Sequence, residues 1–280
     1  MALELPEAQT ISSQMDKEIR GKTIKRAWIN EKESAKQLKS GMINLAPAEF
    51  EKTLSGRKIS SVKSYGKIIY VELGEGLNFI IAFETNGKVL YHEDESSIPE
   101  KWNTRFDFAD GSAITVRMTG WGGASVFTDT QIRNHKYISK AYGSPLSKDF
   151  TFNAFNQMLE KKAGKQIKPV LIQQGELISG IGNAYLQDIL FKTKIHPKRK
   201  IRDISQPERK TLHVAIKKIL SEALKLGGRE IHTDIYNNPG RYRLLVGKHM
   251  EAEPCPECGT KIEKITAAGS ASYVCPKCQK

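Results

Sequence analysis

Two pairs of cysteines near the end of the sequence carry its strongest chemical signal. Cys255-Pro-Glu-Cys258 and Cys275-Pro-Lys-Cys278 are separated by sixteen residues. At that spacing two knuckles joined by a hairpin place four thiolates tetrahedrally around one zinc ion. Such a site is closed by its four protein ligands, so the metal holds the fold and activates no water. A redox dithiol or two disulfides are the rival readings, although redox CxxC motifs seldom come in matched pairs outside a βαβ context. A second signal is the run Ile178-Ser-Gly-Ile-Gly-Asn183-Ala-Tyr185, with Lys168 ahead of it. Its glycines let a tight turn approach another molecule closely, and the turn opens a helix whose free N–H groups and positive dipole end suit a phosphate. Asn183 offers an amide donor and Lys168 a point charge. The same glycines also fit a helix–helix turn in which they serve packing alone.

The elements around these motifs divide the chain. A first helix is expected from Pro6, which suits a first turn, through Ile11, Met15 and Ile19 at i, i+4, i+8, to a stop at Gly21. Strands are expected from Thr23 to about Phe127, among them 67–73, 77–83, 104–108 and 113–118, separated by the turn signals Gly74–Gly76, Asn86-Gly87 and Asp110-Gly111. From Asp149 the period becomes helical: one helix through Phe152, Phe155 and Leu159, a shorter one over 168–174, and one over 183–192. A long helix follows, capped by Ser205 with Glu208 three residues on, and it stops at Gly227-Gly228. The expected fold is therefore α+β and multidomain. An N-terminal helix and antiparallel β-sandwich take residues 1–130, a helical domain residues 131–248 and a zinc-bound β-hairpin residues 249–280.

Composition narrows the function classes. The 280 residues are 39% hydrophobic, enough for buried cores. No run approaches the roughly 18 apolar residues of a membrane span, and MALELPEAQT lacks the charged and apolar segments of a secretory signal. The formal net charge is +13, and it is lopsided. Residues 1–150 carry 21 basic and 19 acidic side chains, whereas residues 151–280 carry 23 and 12. An excess of that kind fits a C-terminal half resting on a polyanion. Anionic lipid fits less well, because there is no basic amphipathic helix with Trp or Phe on its apolar face.

Together these residues resemble the formamidopyrimidine-DNA glycosylase and endonuclease VIII family. The string from Leu171 to Arg199 resembles its helix-two-turn-helix signature, the cysteine tail ending CPKCQK its zinc finger, and Glu4-Leu5-Pro6-Glu7 its N-terminal block. Gly66-Lys67 with the following strand is similar to its lysine-bearing strand, and Ser144–Ser147 to its interdomain linker. The resemblance implies excision of a flipped, damaged base from duplex DNA, often with nicking of the strand. It implies a structural Zn2+, double-stranded DNA with a damaged or abasic site as partner, a monomer, and a cytoplasmic, nucleoid-associated protein. It implies Glu4 as the carboxyl that shuttles protons, with Lys67, Lys168 and Asn183 gripping phosphates. The nucleophile would be an α-amino group, whose pKa near about 8 leaves far more of it neutral than a lysine at about 10.4.

This chain departs from the family pattern at several positions. Leu3 stands where the family has its proline nucleophile, and Ala2 precedes it, so that loss of Met1 would leave a primary amine on Ala2 one residue out of register with Glu4. Ser270 aligns with the zinc-finger arginine, and Ala82–Thr85 with the block that supplies a methionine wedge. Trp121 is the only large side chain where the family carries its arginine-bearing wedge loop. Bland roles compete with these: Glu4 as a helix-turn acid, Lys67 as a solvated lysine, Trp121 as packing. His92, His196 and His232 read as surface or core histidines, and Arg229, Arg241 and Arg243 as solvated charges. Three functions follow: a glycosylase with or without lyase activity through an N-terminal Schiff base, a non-catalytic binder of damaged DNA, and a zinc-ribbon RNA-associated protein.

Overall fold

The computed structural model describes every residue except Met1, Ala141, Gln174 and Glu176, and every described side chain except that of Glu33. The expected end of the short helix at Gln174, and two positions of the signature string, therefore lie outside the described residues. Helix α1 (Leu5–Ile19) begins with Pro6 in its first turn, and the Glu7 carboxylate accepts from the Glu4 N–H at 2.9 Å. Its buried stripe of Ile11, Met15 and Ile19 is the expected one.

Strand β1 (Ile24–Ile29) follows, and then two helices interrupt the region expected to be all strand. They are α2 (Glu31–Ser40) and α3 (Pro47–Leu54). Helix α2 has few apolar residues to reveal its period. It is defined by Asn30, whose side chain accepts from the Lys32 N–H, and by Gly41, which ends it at φ 73°. Helix α3 has Pro47 in its first turn and buries Phe50 and Leu54, an i, i+4 pair that is readable in the sequence.

Strands β2 (Ser61–Tyr65), β3 (Ile68–Glu72), β4 (Leu77–Phe83), β5 (Gly87–His92), β6 (Thr104–Phe108), β7 (Ala113–Met118) and β8 (Gly122–Thr128) complete two antiparallel four-stranded sheets. Their orders are β1-β6-β7-β5 and β2-β3-β4-β8. Alternate side chains of both sheets, including Phe79, Phe106, Ile81 and Val116, meet the apolar stripe of α1 in one core. The outer face of the second sheet is covered by α4 (Asp129–Asn134) and the turn through Ile138.

The helical part contains α5 (Phe152–Glu160), α6 (Ile167–Leu171), α7 (Asn183–Lys192) and α8 (Gln206–Lys225), around a separate core built from residues such as Phe155, Tyr185, Ile189 and Ile216. Strands β9 (Glu263–Ala267) and β10 (Ser270–Val274) form the C-terminal hairpin. It packs Tyr273 against Phe191 of α7, and the Tyr273 N–H donates to the Gln187 side chain at 2.8 Å. Among the described residues no helix is long and apolar enough to cross a membrane.

Candidate active site and zinc centre

The entry to α1, the turn before β3 and the entry to α7 meet at one seam, and glycines make the approach possible. Gly180, at φ 82°, accepts from the Leu5 N–H at 2.8 Å. A Cβ on Gly180 would lie 2.7 Å from the Gly66 carbonyl carbon, and one on Gly182 would lie 2.3 Å from the Glu4 carboxyl carbon. Only glycine permits an approach that close. The turn entering α7 thus receives an anion from within the chain. The Glu4 carboxylate accepts from the N–H groups of Gly182 (2.9 Å), Ala184 (3.0 Å) and Tyr185 (3.3 Å). The helix end that the sequence offers to a phosphate spends these donors on Glu4.

A buried cation completes the seam. Arg229, expected to be a solvated charge, is 2% exposed. Its backbone N–H and its Nε donate to Glu7 at 3.0 and 2.9 Å, and its Nη2 donates to the Ala2 carbonyl at 2.9 Å. Nη1 stands 3.5 Å from Glu4. Tyr185 donates its hydroxyl to Glu7 at 2.6 Å, and the Arg229 guanidinium lies over the Tyr185 ring. Gly228 allows this turn to close on α1, since a Cβ there would lie 2.6 Å from the Glu7 side chain.

The two carboxyls separate in acidity. Burial pushes the pKa of Glu4 above the ordinary carboxylate value, against the opposing pull of Arg229. Glu7 is also penalised by burial, but Arg229 and Tyr185 bring it below that value. His232 is pushed down to about 4 by burial and then by Arg229, whose Nη2 faces its Nε2 at 3.2 Å, so the imidazole is neutral. Sequence reasoning missed Glu7, Tyr185 and Arg229 as partners of Glu4. Only the Gly227-Gly228 pair directly before Arg229 hints at a close approach.

The remaining candidates lie around this seam. Leu3 is 2% exposed in the sandwich core, and its N–H donates to the Phe83 carbonyl at 3.3 Å. Lys67 pairs with Glu84, just beyond β4, at 2.6 Å. Trp121 is 71% exposed, yet its carbonyl accepts from the backbone N–H groups of Glu84 and Thr85, each at 3.0 Å. Its backbone is pinned while its ring stands in solvent.

Lys168 is 1% exposed beneath the C-terminal hairpin. Its Nζ donates to the Ser272 hydroxyl at 2.6 Å and lies 3.5 Å from the carbonyls of Ser270 and Ala271. Burial lowers its pKa to about 8. Asn183 donates to the Ala271 carbonyl at 3.0 Å, and Ser270, in the aligned place of the family's arginine, donates to Asn183 at 3.4 Å.

The four cysteines converge as their spacing predicts. All four Sγ atoms lie within 4.8 Å of one another, with Cys258 and Cys275 3.4 Å apart and Cys255 and Cys278 4.0 Å apart. These separations are far beyond the roughly 2.05 Å of a disulfide. They match the roughly 3.8 Å edge of a tetrahedron of sulfurs about 2.3 Å from a zinc ion. The donor set fits one structural Zn2+.

Comparison with known proteins agrees with this architecture along its length. Residues 2–120 match the model of the formamidopyrimidine-DNA glycosylase N-terminal domain, residues 143–234 that of the formamidopyrimidine-DNA glycosylase H2TH domain, and residues 252–280 that of the zinc finger found in FPG and IleRS. The formamidopyrimidine-DNA glycosylase of Lactobacillus helveticus is 30% identical over 285 residues, covering 99% of this chain and 98% of that protein. That of Bacillus subtilis strain 168 is 28% identical over 281 residues, with the same coverage. Among solved structures, Lactococcus lactis Fpg in complex with abasic-site DNA superposes with a TM-score of 0.83 at 28% identity, covering 99% of each chain. The same protein with DNA containing N7-benzyl-Fapy-dG gives 0.84 at 29%, again covering 99% of each. The chain belongs to the formamidopyrimidine-DNA glycosylase family.

Proposed function

We propose that Glu4 is the proton-carrying carboxyl of this base-excision glycosylase, and that damaged duplex DNA lies between the sandwich and the helical part with its flipped nucleotide at the α1–α7 seam. The supporting observation is the setting of Glu4. It is 4% exposed, its pKa is raised by burial, and three N–H groups and Arg229 hold it in one orientation. A carboxyl of this kind keeps its proton at a pH where an exposed glutamate has lost it, and can pass it to the sugar as the glycosidic bond breaks and its electron pair leaves with the base. Loss of Met1 would free the Ala2 amine to attack C1′ and form a Schiff base, in place of the family's proline at the position of Leu3. Lys67, Lys168 and Asn183 would meet phosphates, and the exposed ring of Trp121 would stack where the base has left. Residues 1–130, 131–248 and 249–280 act as three working parts of a monomer, at the nucleoid in the cytoplasm.

A second reading has water as the nucleophile, with no lyase step. It is favoured by the burial of Leu3, whose N–H is committed to Phe83 and whose side chain belongs to the core. Borohydride trapping on an abasic duplex, with the protein's N-terminus defined by mass spectrometry, separates the two. An adduct on the Ala2 amine establishes the Schiff base; absence of an adduct with base release intact leaves water. The Glu4→Gln variant tests both readings. Base release is expected to fall by about 10²–10⁴-fold while binding to abasic DNA persists. Unchanged release would remove Glu4 from the chemistry, and no release from wild type on any damaged duplex would leave a DNA-binding protein.

A further inference from the structure

Among the described residues, Arg229 is the largest charged side chain that is wholly buried. Besides His232 on its own turn, its fork reaches three groups along residues 2–7: Glu7 within α1, Glu4 at the helix entry, and the Ala2 carbonyl ahead of it. A lysine's point charge could not reach all three together, whereas a planar guanidinium carries five donors in a fixed fork. We propose that Arg229 is a positioning residue for the reaction: it ties the proton-carrying carboxyl of Glu4 and the chain's first residues to the turn after α8, and it divides its charge between Glu4 and Glu7. This rests on the assignment of Glu4 above.

The charged and titratable groups facing Glu4 come from three elements. Glu7 lies on α1, and Tyr185 is on α7 with Asp188 one turn further on. Arg229 and His232 come from the turn after α8. Tyr185 is held protonated by burial and by its bond to Glu7, and His232 is neutral, so neither supplies a counter-charge to Glu4. Asp188 is satisfied elsewhere, by the Tyr242 hydroxyl and the N–H groups of Leu245 and Val246. Among the described side chains Arg229 is therefore the cation that opposes the burial of Glu4, and Glu7 competes for it; an Ala2 amine freed by loss of Met1 would add to it only while protonated.

Two substitutions should move the acidity of Glu4 in opposite directions. Arg229→Gln removes the opposing cation, so the limb of the pH–rate profile that reports Glu4 should move up by about 1–3 pH units, the range expected for a charge this close. Glu7→Gln keeps hydrogen-bonding atoms for Tyr185 and Arg229 but removes the competing carboxylate, so the same limb should move down. Single-turnover base release from a damaged duplex is the readout, with binding to an abasic duplex as control. Opposite shifts support the assignment. A uniform loss of rate with neither limb moved would make Arg229 purely structural and overturn it. If Arg229→Gln does not fold, the downward shift in Glu7→Gln alone decides. Should Glu4→Gln release base at the wild-type rate, the Glu4 assignment fails; should Glu4→Gln be slow while both limbs stay fixed, only the role of Arg229 fails.

Discussion

Arg229 and Lys168 are both almost wholly removed from solvent, and they are satisfied in opposite ways. Arg229 lies against two carboxylates and a carbonyl, with a tyrosine ring beneath it; burial works against its charge, but Glu4 and Glu7 outweigh burial and raise its pKa further. Lys168 has only neutral partners, a hydroxyl and two carbonyls, and burial lowers its pKa to about 8. Among the described residues, no carboxylate pairs with it. A buried charge with full compensation locks the segments it touches, whereas one with neutral partners keeps an unmet demand for an anion. The first arrangement joins α1 to the helical part. The second sits where Asn183 and the hairpin meet, and in the reading proposed above a phosphate of the DNA would reach it by displacing the hairpin groups that cover it.

The largest expected effect comes from taking away what covers Lys168. Structural zinc contributes about 10–16 kcal/mol in small zinc-finger peptides, so Cys275→Ser or chelation should melt the β9–β10 hairpin outright. Affinity for an abasic duplex should fall at least 100-fold, about 3 kcal/mol. The Arg229 network does not touch the hairpin, so the cooperative thermal transition of the remaining chain should survive. Metal-free protein that binds DNA as well as before would separate the hairpin from the DNA surface.

Next comes the compensated site. Glu7→Ala removes the main partner of Arg229 and the acceptor of Tyr185, leaving a buried cation without its closest carboxylate. Breaking a buried pair in this way costs about 3–5 kcal/mol. The denaturant midpoint should fall accordingly with little change in slope. A loss below about 1 kcal/mol would mean that water enters the seam and that the network is not closed.

Features fixed by local chemistry are the ones legible in the sequence. The cysteine spacing sets the zinc site, the Ser205 and Glu208 pair opens α8, and Pro6 places α1. Strands with alternating or continuous apolar character are legible to within a residue or two, whereas β1, β2, β5 and β8 fall only under the general expectation of strand. Helix α2 escapes because it is a polar surface helix with no apolar period, leaving only its two end signals, Asn30 and Gly41, to mark it. The site is half readable. Glu4 comes from the family resemblance and Lys168 from its place ahead of the glycine turn, but nothing in the order of residues says that Arg229, more than 200 positions later, closes on Glu7. Its identity as a buried counter-ion exists only once Gly228 brings that turn onto α1. The same holds for the glycine turn before α7, whose sequence suits a cradle for a phosphate and whose folded form fits Glu4 and Gly66.

The smallest effect, and the sharpest contrast with Glu7, is expected of Lys168→Met. Removing a cation that has no buried counter-ion leaves no orphaned charge, so stability near pH 7 should change little or rise. The sign with pH follows from the shift. The folded pKa of about 8 lies below the ordinary lysine value near about 10.4, so between these the unfolded chain holds more protons. Wild-type stability should gain a rising component from about pH 8 to about pH 10.4, which the variant lacks; a series of denaturant midpoints against pH measures the difference. Binding runs the other way. The phosphate requires the charged form, so affinity for duplex DNA should weaken as pH passes about 8 in wild type and stay flatter in the variant. The slope of log affinity against log salt should shrink by about 1 in the variant, as expected when one fewer phosphate is neutralised. An unchanged slope would mean that Lys168 only props up the hairpin, and the two buried cations would then differ in partners but not in purpose.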